Sequence, residues 1–173
     1  TTTEQSGSLT MEVIKELVDD VIVVEEEAIE DAIDLLVTIE KTVAEGAGAA
    51  SLAAIIKEPE KFAGLKTAAI LSGANIDSRI LASVLMRRLV RKGRIVRYLI
   101  KISDSPGTLS DVSQLIGDIG GNIMEVSHQR MFGSIPVKEA DLYLTVETRD
   151  SDQALEILEK LRSKGYITEF VKE

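Results

Sequence analysis

From Ile95 to Val171 the spacing of apolar residues changes period in one order, and that order constrains the fold more than any other feature. Ile95 to Ile102 alternates, with Val96, Tyr98, Ile100 and Ile102 on one side and Arg97 and Lys101 on the other, which predicts a half-buried strand. Leu109, Val112, Leu115, Ile116 and Ile119 then recur at helical spacing. Pro106 suits the first position of that helix behind Asp104 or Ser105 as cap, and Gly120 or Gly121 suits its left-handed end. Ile123 to Phe132 reads as a strand, and Gly133 to Glu139 as a turn region. Asp141 to Thr148 sets Leu142, Leu144 and Val146 against Tyr143, Thr145 and Glu147, again a strand. Asp150 or Ser151 caps a helix carrying Ala154, Leu155, Leu158 and Leu161, Gly165 ends it, and Tyr166 to Val171 is a last strand. The order is βαββαβ, a ferredoxin-like split unit with both helices on one sheet face.

The first half is patterned differently. Thr10 is placed to cap a helix running to Val18, after a polar loop from Thr1 to Leu9. Val21 to Val24 and Lys66 to Leu71 read as short buried strands. Between them, Glu25 to Ile39 is an amphipathic helix with an acidic first turn, its stripe formed by Ile29, Ile33, Leu36 and Val37. The small residues from Gly46 to Ser51 open a tightly packing helix. Ser72 to Asp77 is a strand-to-helix turn, and Ile80 to Arg91 a helix stopped at Lys92-Gly93, where a domain boundary is expected. Two short strands with three or four helices expose apolar surface, so this half is expected to be loosely ordered, rearranged or buried in an oligomer.

Composition removes several function classes. Apolar residues make up 45% of the 173, enough for one or two real cores. A net charge of −9 argues against nucleic acid and anionic membranes as partners. No apolar run approaches the ~20 residues of a membrane span, and no secretory signal is visible, so a cytoplasmic location is expected. Without cysteine, and with His128 as the lone histidine, disulfides and thiolate metal sites are excluded and no metal site is expected.

The turn Asp104-Ser105-Pro106-Gly107-Thr108-Leu109, the strand entry Gly120-Gly121-Asn122-Ile123 and the βαββαβ order resemble the ACT family, over roughly Arg94 to Glu173. Such domains sense amino acids on metabolic enzymes. Glu16 to Asp20, Glu45 to Ala49 and Leu71-Ser72-Gly73-Ala74-Asn75-Ile76-Asp77 resemble the C-terminal third of the catalytic domain of threonine dehydratases (threonine ammonia-lyases). These are pyridoxal-phosphate enzymes of the tryptophan-synthase β-like fold, fold type II; Ala74 stands where they usually carry a second glycine. The resemblance implies an α/β portion over 1–93, an incomplete catalytic domain, followed by an α+β ACT regulatory domain over 94–173. It also implies that the lysine holding the cofactor and the Gly-rich phosphate loop belong to a segment not found here. Lys15, Lys41, Lys57 and Lys66 are expected to be surface charges. No catalytic residue is therefore expected in this span, which alone would be inactive and without pyridoxal phosphate; the missing N-terminal catalytic segment is one expected partner.

The resemblance also implies site residues. Ser72 would hydrogen-bond the pyridine nitrogen, with Gly73, Asn75 and Glu45 around the same site; a hydroxyl there leaves the nitrogen largely neutral, which suits α,β-elimination of water. From the residues alone, Ser72 reads as well as a cap of the next helix, and Glu45 as a carboxylate on a helix dipole. In the second half, the turn of Asp104, Ser105, Gly107, Thr108 and Leu109 offers free N–H groups to an effector's carboxylate, and Asp104 can accept from its ammonium. In the ACT pattern Asn122 reaches the same ligand across a subunit interface, which makes a homo-oligomer expected. Otherwise Asp104 is an N-cap and Asn122 tolerates a left-handed turn. An apolar pocket from Leu109 and Ile123 favours isoleucine or valine, pointing to allosteric control within isoleucine biosynthesis. His128 is expected at the surface or an interface. The rival reading is a free-standing amino-acid-binding regulatory protein without catalysis.

Overall fold

The computed structural model describes residues 7–130 and 138–171, so the predicted turn from Gly133 to Val137, the strand end at Met131 and Phe132, and the loop from Thr1 to Ser6 lie outside the described residues. The chain forms two compact units that divide between Arg88 and Leu89.

The first unit is built from helices α1 (Ser8–Leu17), α2 (Glu26–Thr38), α3 (Gly46–Lys57) and α4 (Pro59–Phe62), with most of α5 (Ser78–Arg91). α1 starts behind Gly7 rather than Thr10 and buries none of its residues. α2 sends Ala32, Ile33 and Leu36 inward against Ala44, Ala49, Ala53 and Val84, so small side chains dominate this core. Buried Glu30 and Asp34 on α2 face α5, where Arg87 Nη1 lies 2.7 Å from Glu30 and Arg88 Nε 3.4 Å from Asp34. Val21 to Val24 and Lys66 to Leu71 are not strands: both run without ladder partners among the described residues. Val23 is 75% and Ile70 79% exposed. An apolar run becomes a buried strand only where neighbouring strands take its N–H and C=O groups. Here α3 supplies single anchors instead, Lys57 Nζ donating to Val23 C=O at 2.7 Å and Ser51 Oγ to Ile70 C=O at 2.8 Å.

The second unit carries β1 (Ile95–Ser103), α6 (Thr108–Asp118), β2 (Asn122–Gln129), β3 (Glu139–Glu147), α7 (Ser151–Ser163) and β4 (Ile167–Phe170). The sheet is antiparallel throughout in the order β2-β3-β1-β4, the ferredoxin-like arrangement expected. Tyr98, Ile100 and Ile102 of β1 and Leu142, Leu144 and Val146 of β3 face the helices, which return Val112, Ile116, Ile157 and Leu161. Alternation along β1 and β3 thus places one side of each strand in the core. The Tyr98 hydroxyl donates to Ala154 C=O at 2.8 Å and ties α7 to the sheet; its burial pushes the phenol pKa up. Asp150 caps α7 by accepting from Gln153 N at 2.9 Å, and Gly120 closes α6 at φ 89°. Register decides which loops and strand ends can meet. Ile102 stands opposite Ala140 and Gln129 opposite Asp141, so the end of β1, the start of β3 and the end of β2 share one edge of the sheet. Ile95, Glu147 and Asn122 share the other.

Candidate functional site

After β1 the chain turns sharply. Asp104 N–H donates to Lys138 C=O at 3.0 Å, Ser105 N–H to Ser103 C=O at 2.8 Å, and the Ser103 and Ser105 hydroxyls bond each other. Gly107 follows at φ 94°, a left-handed backbone that glycine adopts without strain, and α6 starts at Thr108. This corrects the expected cap. Neither Asp104 nor Ser105 caps α6, and Pro106 precedes the helix rather than opening it. The left-handed step at Gly107 moves the helix start two residues on and carries the Asp104 carboxylate away from the first turn. Among the described residues no side chain caps α6; Thr108 N–H donates to Ser105 C=O at 3.4 Å, and the N–H groups of Leu109 and Ser110 have no partner there.

Asp104 turns instead toward β2. Arg130 Nε lies 3.0 Å from Asp104 Oδ1, and His128 Nε2 lies 4.0 Å from the same oxygen. His128 stands opposite Leu142 and therefore on the helix-covered face; it is half-buried, and its Nε2 is buried without a hydrogen-bond partner. The sequence does not pair Arg130 with Asp104, because β3 comes between β2 and β1 in the sheet and Arg130 is remote from Asp104 along the chain. The available signal was parity: Asp104 shares a face with Ile102, and Arg130 with His128.

Asn122 and Ile123 are not part of this cluster. They open β2 at the far edge of the sheet, where Asn122 Nδ2 donates to Glu147 Oε2 at 3.2 Å. Along β2 that is about 20 Å from Asp104. Asn122 is in a strand, not a left-handed turn. Within one chain Leu109 and Ile123 therefore lie at opposite ends of the sheet. A cavity of about 620 Å³ does open at the far edge, against Val96, Leu155 and Phe170, and none of the predicted site residues lines it.

In the first unit the predicted residues do come together. Glu45 N–H donates to Gly73 C=O at 2.9 Å, joining the start of α3 to the loop before α5. A Cβ on Gly48 would stand 2.5 Å from that same Gly73 oxygen, and a Cβ on Gly73 would stand 2.5 Å from Glu45 Oε1. The two glycines thus serve close approach. Ser72 does not cap α5; Asp77 does, its Oδ1 accepting from Arg79 N at 2.9 Å and Ile80 N at 3.3 Å. Ser72 and Asn75 are exposed beside the Glu45–Gly73 contact. The Ser72 hydroxyl has no partner among the described residues. Lys15, Lys41, Lys57 and Lys66 are all exposed. Among the described residues no group of three or more acidic or histidine side chains is placed to hold a metal, and no helix is long and apolar enough to cross a membrane.

No family model matches the chain. Over 94% of its length it is 36% identical to an L-threonine ammonia-lyase of Thermotoga maritima. Over 98% it is 34% identical to an L-threonine ammonia-lyase of Geobacter sulfurreducens. The chain spans 40% and 42% of the length of these two relatives. Among solved structures, the ACT domain from GTP pyrophosphokinase of Chlorobium tepidum covers 44% of this chain with 96% of its own, at a TM-score of 0.36 and 16% identity. The similarity to L-threonine ammonia-lyases runs through both units.

Proposed function

We propose that this chain is the C-terminal part of a cytoplasmic threonine ammonia-lyase, which as a whole deaminates L-threonine to 2-oxobutanoate and ammonia. Residues 1–93 contribute one wall of the cofactor site, and residues 94–173 form an ACT domain that binds a branched-chain amino acid such as isoleucine or valine. Pyridoxal phosphate, when bound, supplies the electron sink for elimination. Ser72 would face its ring nitrogen, Gly73 and Asn75 would shape the loop beside it, and Glu45 holds that loop against α3 through its backbone N–H. The Schiff-base lysine belongs to the remainder of the enzyme, so the span alone is expected to be inactive. Purified chain incubated with threonine and pyridoxal phosphate should yield no 2-oxobutanoate; its appearance would contradict the assignment.

The observation that carries the regulatory half is a turn left open: among the described residues α6 has no side-chain cap, and the Asp104 carboxylate beside it caps no helix. An amino acid brings a carboxylate for open N–H groups and an ammonium for Asp104. Two copies pairing through their ACT domains would add Asn122 of a second copy to each turn. Effector binding would then shift the population of domain arrangements, by as much as its affinity differs between them. Calorimetric titration of the chain with each of the twenty amino acids tests this. Saturable heat with isoleucine or valine is expected; heat with none of the twenty would overturn it.

A further inference from the structure

We propose that Asp104 and Arg130 form a paired recognition element, whose internal ion pair opens to take both charges of a free α-amino acid, ammonium on Asp104 and carboxylate on Arg130, the latter shared with the open N–H groups at the start of α6. This rests on the second unit being an amino-acid sensor, and names how it tells its ligand from close chemical relatives. Among the described residues two basic side chains lie within 4.0 Å of the Asp104 carboxylate, Arg130 at 3.0 Å and His128 at 4.0 Å. The pair is open to water, Arg130 at 58% and Asp104 at 32% side-chain exposure, and such pairs are weakly held and exchangeable. Arg130 meets Asp104 through Nε, and the outer nitrogens of a guanidinium suit a carboxylate. A second feature marks the spot as unfinished. His128 Nε2 is buried and unpartnered beside the same Asp104 oxygen, and buried polar atoms rarely stay so. A polar group entering between Asp104 and Arg130 comes within its reach.

The exchange is balanced only for a zwitterion. An amino acid replaces one internal ion pair with two new ones. A 2-oxo acid takes Arg130 and leaves Asp104 without a cation. An amine takes Asp104 and leaves Arg130 without an anion. Each relative gains one new ion pair where the amino acid gains two, so the element favours the zwitterion over both.

The test is a comparison of three probes on the full chain: L-isoleucine, its 2-oxo acid (3-methyl-2-oxopentanoate) and its amine (2-methylbutylamine). Wild type is expected to bind isoleucine roughly tenfold or more tighter than either relative. Asp104→Asn should shrink the preference for isoleucine over the 2-oxo acid. Arg130→Gln should shrink the preference over the amine, and Arg130→Lys should restore part of it. A merely structural role would move all three affinities together. Wild type binding isoleucine, with the ratios unchanged in both variants, would overturn this inference and leave the sensor reading intact. No binding of any amino acid would overturn both.

Discussion

Gly48 and Gly73 lie where two backbones meet, and the consequences of adding one methyl differ between them. At Gly48 the new Cβ would collide with the Gly73 carbonyl, a fixed backbone atom. At Gly73 it would collide with the Glu45 carboxylate, the movable end of a side chain. Gly48→Ala is therefore expected to cost about 1–3 kcal/mol and to displace the loop carrying Ser72, and Gly73→Ala to cost less. Thermal unfolding of both variants checks the order; equal losses would contradict it. These contacts show how far residue types alone can be read. The pairing of Glu45 with the Ser72–Asn75 loop came from resemblance. Why glycine stands at Gly48 and Gly73 is visible only in the atoms each one faces. Arg130 shows the reverse case, an arginine just past β2 that strand register brings to Asp104.

At the level of elements, α7 offers a pH test. Gln153 N–H and Arg149 hold the Asp150 carboxyl below its ordinary range, the backbone donor first. A carboxyl depressed on folding stabilises the native state above its unfolded pKa and ceases to do so as the pH falls through the folded one. Wild type should therefore lose more melting temperature between about pH 5 and pH 3 than Asp150→Asn, which keeps a capping side chain but does not titrate. Parallel losses would show that the cap charge is immaterial. Strands β1, β3 and β4 were legible because period-two runs face one core. Asp and Ser before Pro-Gly look like a cap of α6, and only the left-handed turn at Gly107 shows otherwise. Val21 to Val24 and Lys66 to Leu71 have the composition of strands but no neighbours to pair with among the described residues, and no local pattern reports that.

Across the whole molecule the two cores are unequal. The first is built largely from Ala32, Ala44, Ala49 and Ala53 with Ile33, Leu36 and Val84, whereas the second packs a tyrosine and many Ile, Leu and Val side chains across a sheet. Larger buried apolar area gives larger stability, so the units should not open together. Native-state hydrogen exchange is expected to be slowest in β1 and β3, faster in α2 and α3, and fastest in α1, which buries nothing. Uniform protection through both units would contradict this ranking.

The central claim is that the turn after β1 holds a free amino acid. Backbone ¹⁵N–¹H spectra of the full chain during titration with L-isoleucine test it most directly. The account predicts saturable shifts centred on the amides of Gly107, Leu109 and Ser110 with Arg130 and His128. Shifts centred on the groove of Val96, Leu155 and Phe170, or none at saturating isoleucine, would contradict it.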